Sequence, residues 1–119
     1  MEWFYSKWLE WSDRKDYTMN YTENFEGIKI DVQAVDIDID QSLQKQIRDM
    51  IVSLRRHISD VNWVDVYFKE EAHQSTNPRT FSMRFGIPGN DAFASDSGDN
   101  WLVLMKNVEE KLRRQLRKR

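Results

Sequence analysis

The most constraining stretch of this chain is a change of hydrophobic period between residues 28 and 58. Ile28, Ile30, Val32 and Ala34 alternate with Lys29, Asp31 and Gln33, the period-2 pattern of a strand with one buried face. Leu43, Ile47, Met50, Ile51, Leu54 and Ile58 then recur at helical spacing, which predicts a helix over about residues 41–58. Asp40 stands at that boundary, where its carboxylate can accept from the free amides of the first turn. Strand, helix and a further strand in succession imply a crossover, hence two parallel strands joined with right-handed connection.

The rest of the chain fits one sheet. Trp63, Val64, Val66 and Phe68 predict a second strand, and Phe81, Met83, Phe85 and Ile87 a third. Pro88-Gly89-Asn90-Asp91 is turn chemistry, so a short fourth strand is expected over residues 92–95. Ser97 or Asp99 then caps a last helix whose apolar face is Trp101, Leu104, Met105, Val108, Leu112 and Leu116. The expected class is α+β in the order β-α-β-β-β-α, a four-stranded sheet with two long helices on one face and the other face open.

Residues 1–26 stand apart from this pattern. Phe4, Trp8 and Trp11 predict a short amphipathic helix over residues 2–13, and residues 16–27 are polar and aperiodic, as in a linker. The expected organisation is an N-terminal extension, 1–26, and one domain, 27–119, since 119 residues suffice for a single core. Glu2, Lys7 and Glu10 interrupt the aromatic start, so it is neither a signal peptide nor a membrane span. With no cysteine in the chain, the expected location is the cytoplasm.

Candidates for catalysis are few. The two histidines are His57, near the end of the first helix, and His73, in a polar loop without a nucleophile pattern. Asp36, Asp38 and Asp40 alternate as in a calcium loop, but that loop needs Gly at its sixth place and Glu at its twelfth, where Gln41 and Ile47 stand. No enzyme activity, cofactor or metal is expected.

Charge points elsewhere. The net charge is −2, yet residues 1–40 carry ten acids against four bases, and residues 101–119 carry seven bases against Glu109 and Glu110. Local charge, rather than the total, decides whether a phosphate backbone is attracted. On the last helix Lys111, Arg114 and Lys118 fall on one flank of the apolar stripe and Lys106, Arg113 and Arg117 on the other. Arg55 and Arg56 end the first helix, with Lys45 and Arg48 farther back. Helices lying side by side would merge these bases into one patch, so the candidate RNA-binding residues are Arg55, Arg56, Lys111, Arg113, Arg114, Arg117 and Lys118.

The strings IKIDVQAVDIDIDQSLQKQIRDMIVSLRRHI and IPGNDAFASDSGDNWLVLMKNVEEKLRRQLRKR resemble the hibernation-promoting factor and ribosome-associated inhibitor family over about residues 28–119. KLRRQLRK, from Lys111 to Lys118, is similar to that family's K-L-x-R-Q-L-x-K ending. The resemblance implies a short, single-domain ribosome-associated translation inhibitor, monomeric when free. Its partner would be the small ribosomal subunit and its rRNA, near the mRNA/tRNA cleft, in stationary phase or stress. It implies phosphate contacts by Lys111, Arg114, Lys118 and Arg56. Two departures remove positive charge: Ala34-Val35-Asp36 where the family commonly has Gly and then a base, and Ser53 where it often has Lys. Residues 1–26 lie outside the resemblance, and Met19 is an alternative start. The second reading is a protein-interaction adaptor that keeps the fold and uses the acidic first strand and Trp3, Trp8 and Trp11.

Overall fold

The computed structural model describes residues 18–58, 60–71 and 78–118. The helix predicted over 2–13, with Trp3, Trp8 and Trp11, lies outside them, as does His73. The described chain runs β1 (Thr18–Phe25), β2 (Ile28–Val35), α1 (Gln41–Leu54), β3 (Trp63–Glu70), β4 (Arg79–Gly86), β5 (Ala92–Gly98) and α2 (Trp101–Arg117). These form one five-stranded sheet in the order β1-β2-β3-β4-β5, with β2 and β3 parallel and every other pair antiparallel. The α+β class and the β-α-β-β-β-α core are as expected.

The strand count is corrected from four to five. Thr18–Phe25, expected to be linker, pairs with β2 through all eight residues. Glu26 and Gly27 make the turn with φ of 51° and 85°, the two left-handed residues that a tight hairpin requires and that Gly supplies without strain. Met19, Tyr21 and Phe25 pack against the rim of the core. Glu23 occupies the remaining position on that side, between Tyr21 and Phe25, and its carboxylate accepts from Arg48 Nε of α1 at 2.6 Å.

The alternation seen in the sequence sorts the sheet into two faces. Ile28, Ile30, Val32 and Ala34, then Val64, Val66 and Phe68, then Phe81, Met83 and Phe85 are buried beneath the helices. From above, α1 contributes Ile47, Met50, Ile51 and Leu54, and α2 contributes Leu104, Met105, Val108, Leu112 and Leu116. Each such aliphatic side chain contributes about 1.5–3 kcal/mol on burial. Phe68 meets Phe81 and Trp101 edge to face at centroid distances of 5.0 and 5.2 Å, the arrangement that aromatic quadrupoles favour. Among the described residues no polar or charged side chain is buried.

Both helices start on side-chain caps. Asp40 accepts from Leu43 N at 2.9 Å, as predicted. That bond is the main reason its carboxyl sits below the ordinary carboxylate range, with the Ser42 hydroxyl adding to it. The cap of α2 is Asn100, accepting from Val103 N at 3.2 Å, rather than Ser97 or Asp99, because β5 continues through Gly98 instead of ending at 95. The first helix ends at Leu54, four residues early. There the bonding shortens, with His57 N donating to Leu54 O and Ile58 N to Arg55 O, the tightened last turn common at helix ends.

Candidate nucleic-acid interface

The two helices run in the same direction. Gln115, Lys111 and Asn107 of α2 meet Phe93, Ser95 and Asp96 in turn, so α2 is antiparallel to β5. Arg48 and Arg55 of the α1 side reach Glu23 and Glu26 at the turn end of the β1–β2 hairpin, which makes α1 antiparallel to β2. Since β5 and β2 both run with β3, the helices are parallel and their C-terminal ends lie at one end of the molecule. Helix C-termini carry partial negative charge and favour cations.

The seven candidate residues divide by what already holds them. Arg55 donates to Glu26 Oε1 at 2.8 Å. Lys111 donates to Ser95 O at 2.8 Å and lies 3.9 Å from Asp96. Arg113 is held by Glu109 at 2.6 Å and by Glu110, and reaches across to Ser53 Oγ at 3.1 Å. Arg56, Arg114, Arg117 and Lys118 are exposed and make no ion pair or hydrogen bond through their side chains among the described residues. Lys45 and Arg48 do not widen the patch, since Lys45 pairs with Asp49 at 2.8 Å and Arg48 with Glu23.

The flanks expected from helical winding are present, with unequal surroundings. Lys111, Arg114 and Lys118 face β5 and, with Phe93, Ala94, Ser95 and Gln115, line a shallow hollow of about 420 Å³. Arg113 turns toward α1, whereas Arg117 is exposed at the helix end. A basic cluster of this kind can engage phosphates chiefly through Arg56, Arg114, Arg117 and Lys118. The others must first leave a carboxylate or a carbonyl.

Sequence reasoning did not single out the open face of the sheet. Asn20, Thr22, Asp31, Gln33, Asp65, Tyr67, Ser82, Arg84 and Phe93 line a second hollow there, of about 360 Å³. Arg84 lies over the Phe93 ring at 4.6 Å. Asp31 and Asp65 are neighbours in the parallel register of β2 and β3. Partial burial, and then the Asp31 carboxylate, push the Asp65 carboxyl above its ordinary value. These residues occupy the open-face positions of each strand, but which strands adjoin is not written in any one of them. His57 is exposed on the turn after α1. Among the described residues no group of three or more His, Asp and Glu could hold a metal, and no helix is long and apolar enough to cross a membrane.

This arrangement has solved counterparts. The N-terminal domain of Protein Y from Thermus thermophilus superposes with a TM-score of 0.62 at 10% identity, covering 81% of this chain and 98% of that domain. A ribosomal subunit interface protein from Coxiella burnetii superposes with a TM-score of 0.64 at 15% identity, covering 76% and 93%. At these identities the likeness concerns the fold. A search of curated proteins finds no match. Residues 30–119, from within β2 to the basic end of α2, match the model for "Sigma 54 modulation protein / S30EA ribosomal protein", and the chain belongs to that family.

Proposed function

We propose that this protein is a ribosome-associated translation inhibitor that binds the small subunit near the mRNA/tRNA cleft during stationary phase or stress. The observation that carries the reading is the set of cations Arg56, Arg114, Arg117 and Lys118, unpaired among the described residues, at the shared C-terminal end of two parallel helices. In a chain of net charge −2, long-range attraction to RNA is weak and a local cluster must supply it. Family membership and the fold shared with a ribosomal subunit interface protein support a ribosomal partner over an unrelated nucleic acid.

In this reading these four cations meet rRNA phosphates directly. Lys111, Arg113 and Arg55 join only by exchanging their present partners. No catalytic step is involved: occupation of the cleft excludes messenger and transfer RNA.

Co-sedimentation with small subunits tests the reading. The full chain is expected to pellet at low salt and to be released as salt rises, each phosphate contact adding about 0.7–0.9 to the log–log slope. Changing Arg114, Arg117 and Lys118 together to Ala should weaken pelleting and flatten that slope. A protein that stays in the supernatant at low salt, or a triple variant indistinguishable from the parent, would sink the proposal.

A further inference from the structure

The two edges of the sheet are treated differently. At β5, the Gln115 amide donates to Phe93 O at 2.6 Å and accepts from Phe93 N at 3.1 Å, while Lys111 donates to Ser95 O. Side chains of α2 thus occupy the hydrogen-bonding groups along that edge, one of the ways proteins block sheet extension. At β1 nothing comparable is present among the described residues.

The geometry of the hairpin says which groups are left. A two-residue turn makes Phe25 and Ile28 a hydrogen-bonded pair, so Met19, Tyr21, Glu23 and Phe25 direct their backbone groups to β2. Thr18, Asn20, Thr22 and Asn24 direct theirs outward. The strand carries none of the usual guards of an edge: no proline, no lysine, and no bulge in its eight-residue register. Its charges are neutralised from within, Glu23 by Arg48 and the adjoining Glu26 by Arg55.

We propose that β1 pairs antiparallel with β1 of a second copy of this chain, joining two five-stranded sheets into one of ten strands. The strand is complementary to itself when Thr22 lies on the two-fold axis. With Thr22 opposite Thr22 on the two-fold axis, the outward groups of Asn20 face those of Asn24. Met19 then lies against Phe25 of the second copy, and Tyr21 against Glu23, all on the helix side. Half-exposed Met19, Tyr21 and Phe25 of both copies thereby cover one another. Moving the axis to Glu23 would set two carboxylates face to face, and a one-residue shift would put the apolar side on the solvent face. The sequence expectation of a free monomer takes no account of this edge.

Sedimentation of the full chain from micromolar to millimolar concentration is expected to show a reversible monomer–dimer equilibrium. Thr22→Lys sets two ammonium groups opposite each other on the axis and should weaken dimerisation at least tenfold, with an unchanged circular dichroism spectrum. Thr22→Pro removes the outward N–H on the axis without taking a donor from the β2 ladder, the edge position at which proline is tolerated, and should do the same. If the proline variant fails to fold, the lysine variant decides. The chain has no cysteine, so Thr22→Cys should give a disulfide dimer under mild oxidation, while Lys29→Cys on the neighbouring strand should not. A parent monomeric throughout, a dimer unaffected by either Thr22 substitution, or equal cross-linking at 22 and 29 overturns the proposal. Capture of an extended peptide by a monomeric chain likewise overturns the choice of a second copy.

Discussion

Arg113 of α2 donates to Ser53 Oγ of α1 at 3.1 Å, across the seam between the two parallel helices. Ser53 is small and uncharged, and the contact shows what a residue of that size permits. The guanidinium, already clamped by Glu109 and Glu110, leans toward α1 and becomes a tie between helices. A lysine at 53 would lie against it with like charge and could not accept its proton.

Ser53→Lys is therefore expected to cost about 1 kcal/mol of stability through the lost bond and to add a cation to the basic end. If the proposed function holds, pelleting with small subunits at low salt should strengthen and the salt slope should steepen by about 0.7–0.9. Thermal unfolding and sedimentation across salt measure the two effects separately. A stronger fold, or an unchanged slope, contradicts this account.

Trp63 and Gly86 are register partners on the open face of β3 and β4, and the indole lies so close over the glycine that an added Cβ would come within 2.1 Å of it. Ring atoms cannot yield that far without leaving the sheet surface. Gly86→Ala is expected to destabilise by about 1–3 kcal/mol, the usual cost of overpacking. Tryptophan fluorescence should shift to the red as the indole is displaced into water. Gly86→Ala with parental stability and emission would show that the ring has room.

The core was legible because its strands are written in period 2 and its helices in period 3.6, each with an apolar face meeting the same layer. The strand β1 was not. Met19, Tyr21 and Phe25 alternate correctly, but Glu23 interrupts the series, and its reason is Arg48, 25 residues away. The candidate cations were legible by type and position; their freedom was not. Arg55 is engaged by a residue 29 positions earlier and Lys111 by one 16 earlier, while Arg113, whose clamp by Glu109 and Glu110 is local, adds a contact to a residue 60 earlier. Local pattern carries burial, whereas pairing between elements appears only when the sheet order is known.

Asp65 couples the open face to pH. Its carboxyl is raised above the ordinary 3.8 by partial burial and by Asp31, against the lowering effect of Arg84 and Lys29. A raised acid binds its proton more tightly in the folded state, so stability falls as pH rises from the ordinary value through the folded one and stays lower at neutrality. Asp65→Asn removes that loss. The variant should unfold at a higher temperature than the parent near pH 7, by an amount within the roughly 0.5 kcal/mol typical of exposed sites. The difference should vanish near about pH 3, where the carboxyl is protonated in both states. A variant less stable at neutrality would mean that Arg84 outweighs burial.

Tyr21 reports on the fifth strand from the other end of the pH scale. Burial first, and the Glu23 carboxylate second, push its phenol from 10.0 up to about 12, with Arg48 opposing. Phenolate absorbance of the parent minus that of Tyr21→Phe isolates this one group, and its midpoint is expected at about 12. By the same linkage, stability is unaffected below the ordinary value and declines as pH rises through the folded one, a decline that Tyr21→Phe should lessen. The measurement also distinguishes two states of the hairpin. While β1 is paired with β2 the phenol stays half-buried beside Glu23; if the strand detaches, Tyr21 enters water and ionises at the ordinary value of about 10. A midpoint near 10 in an otherwise folded chain would therefore mean that β1 is unpaired in solution, and the dimer edge proposed above would be lost with it.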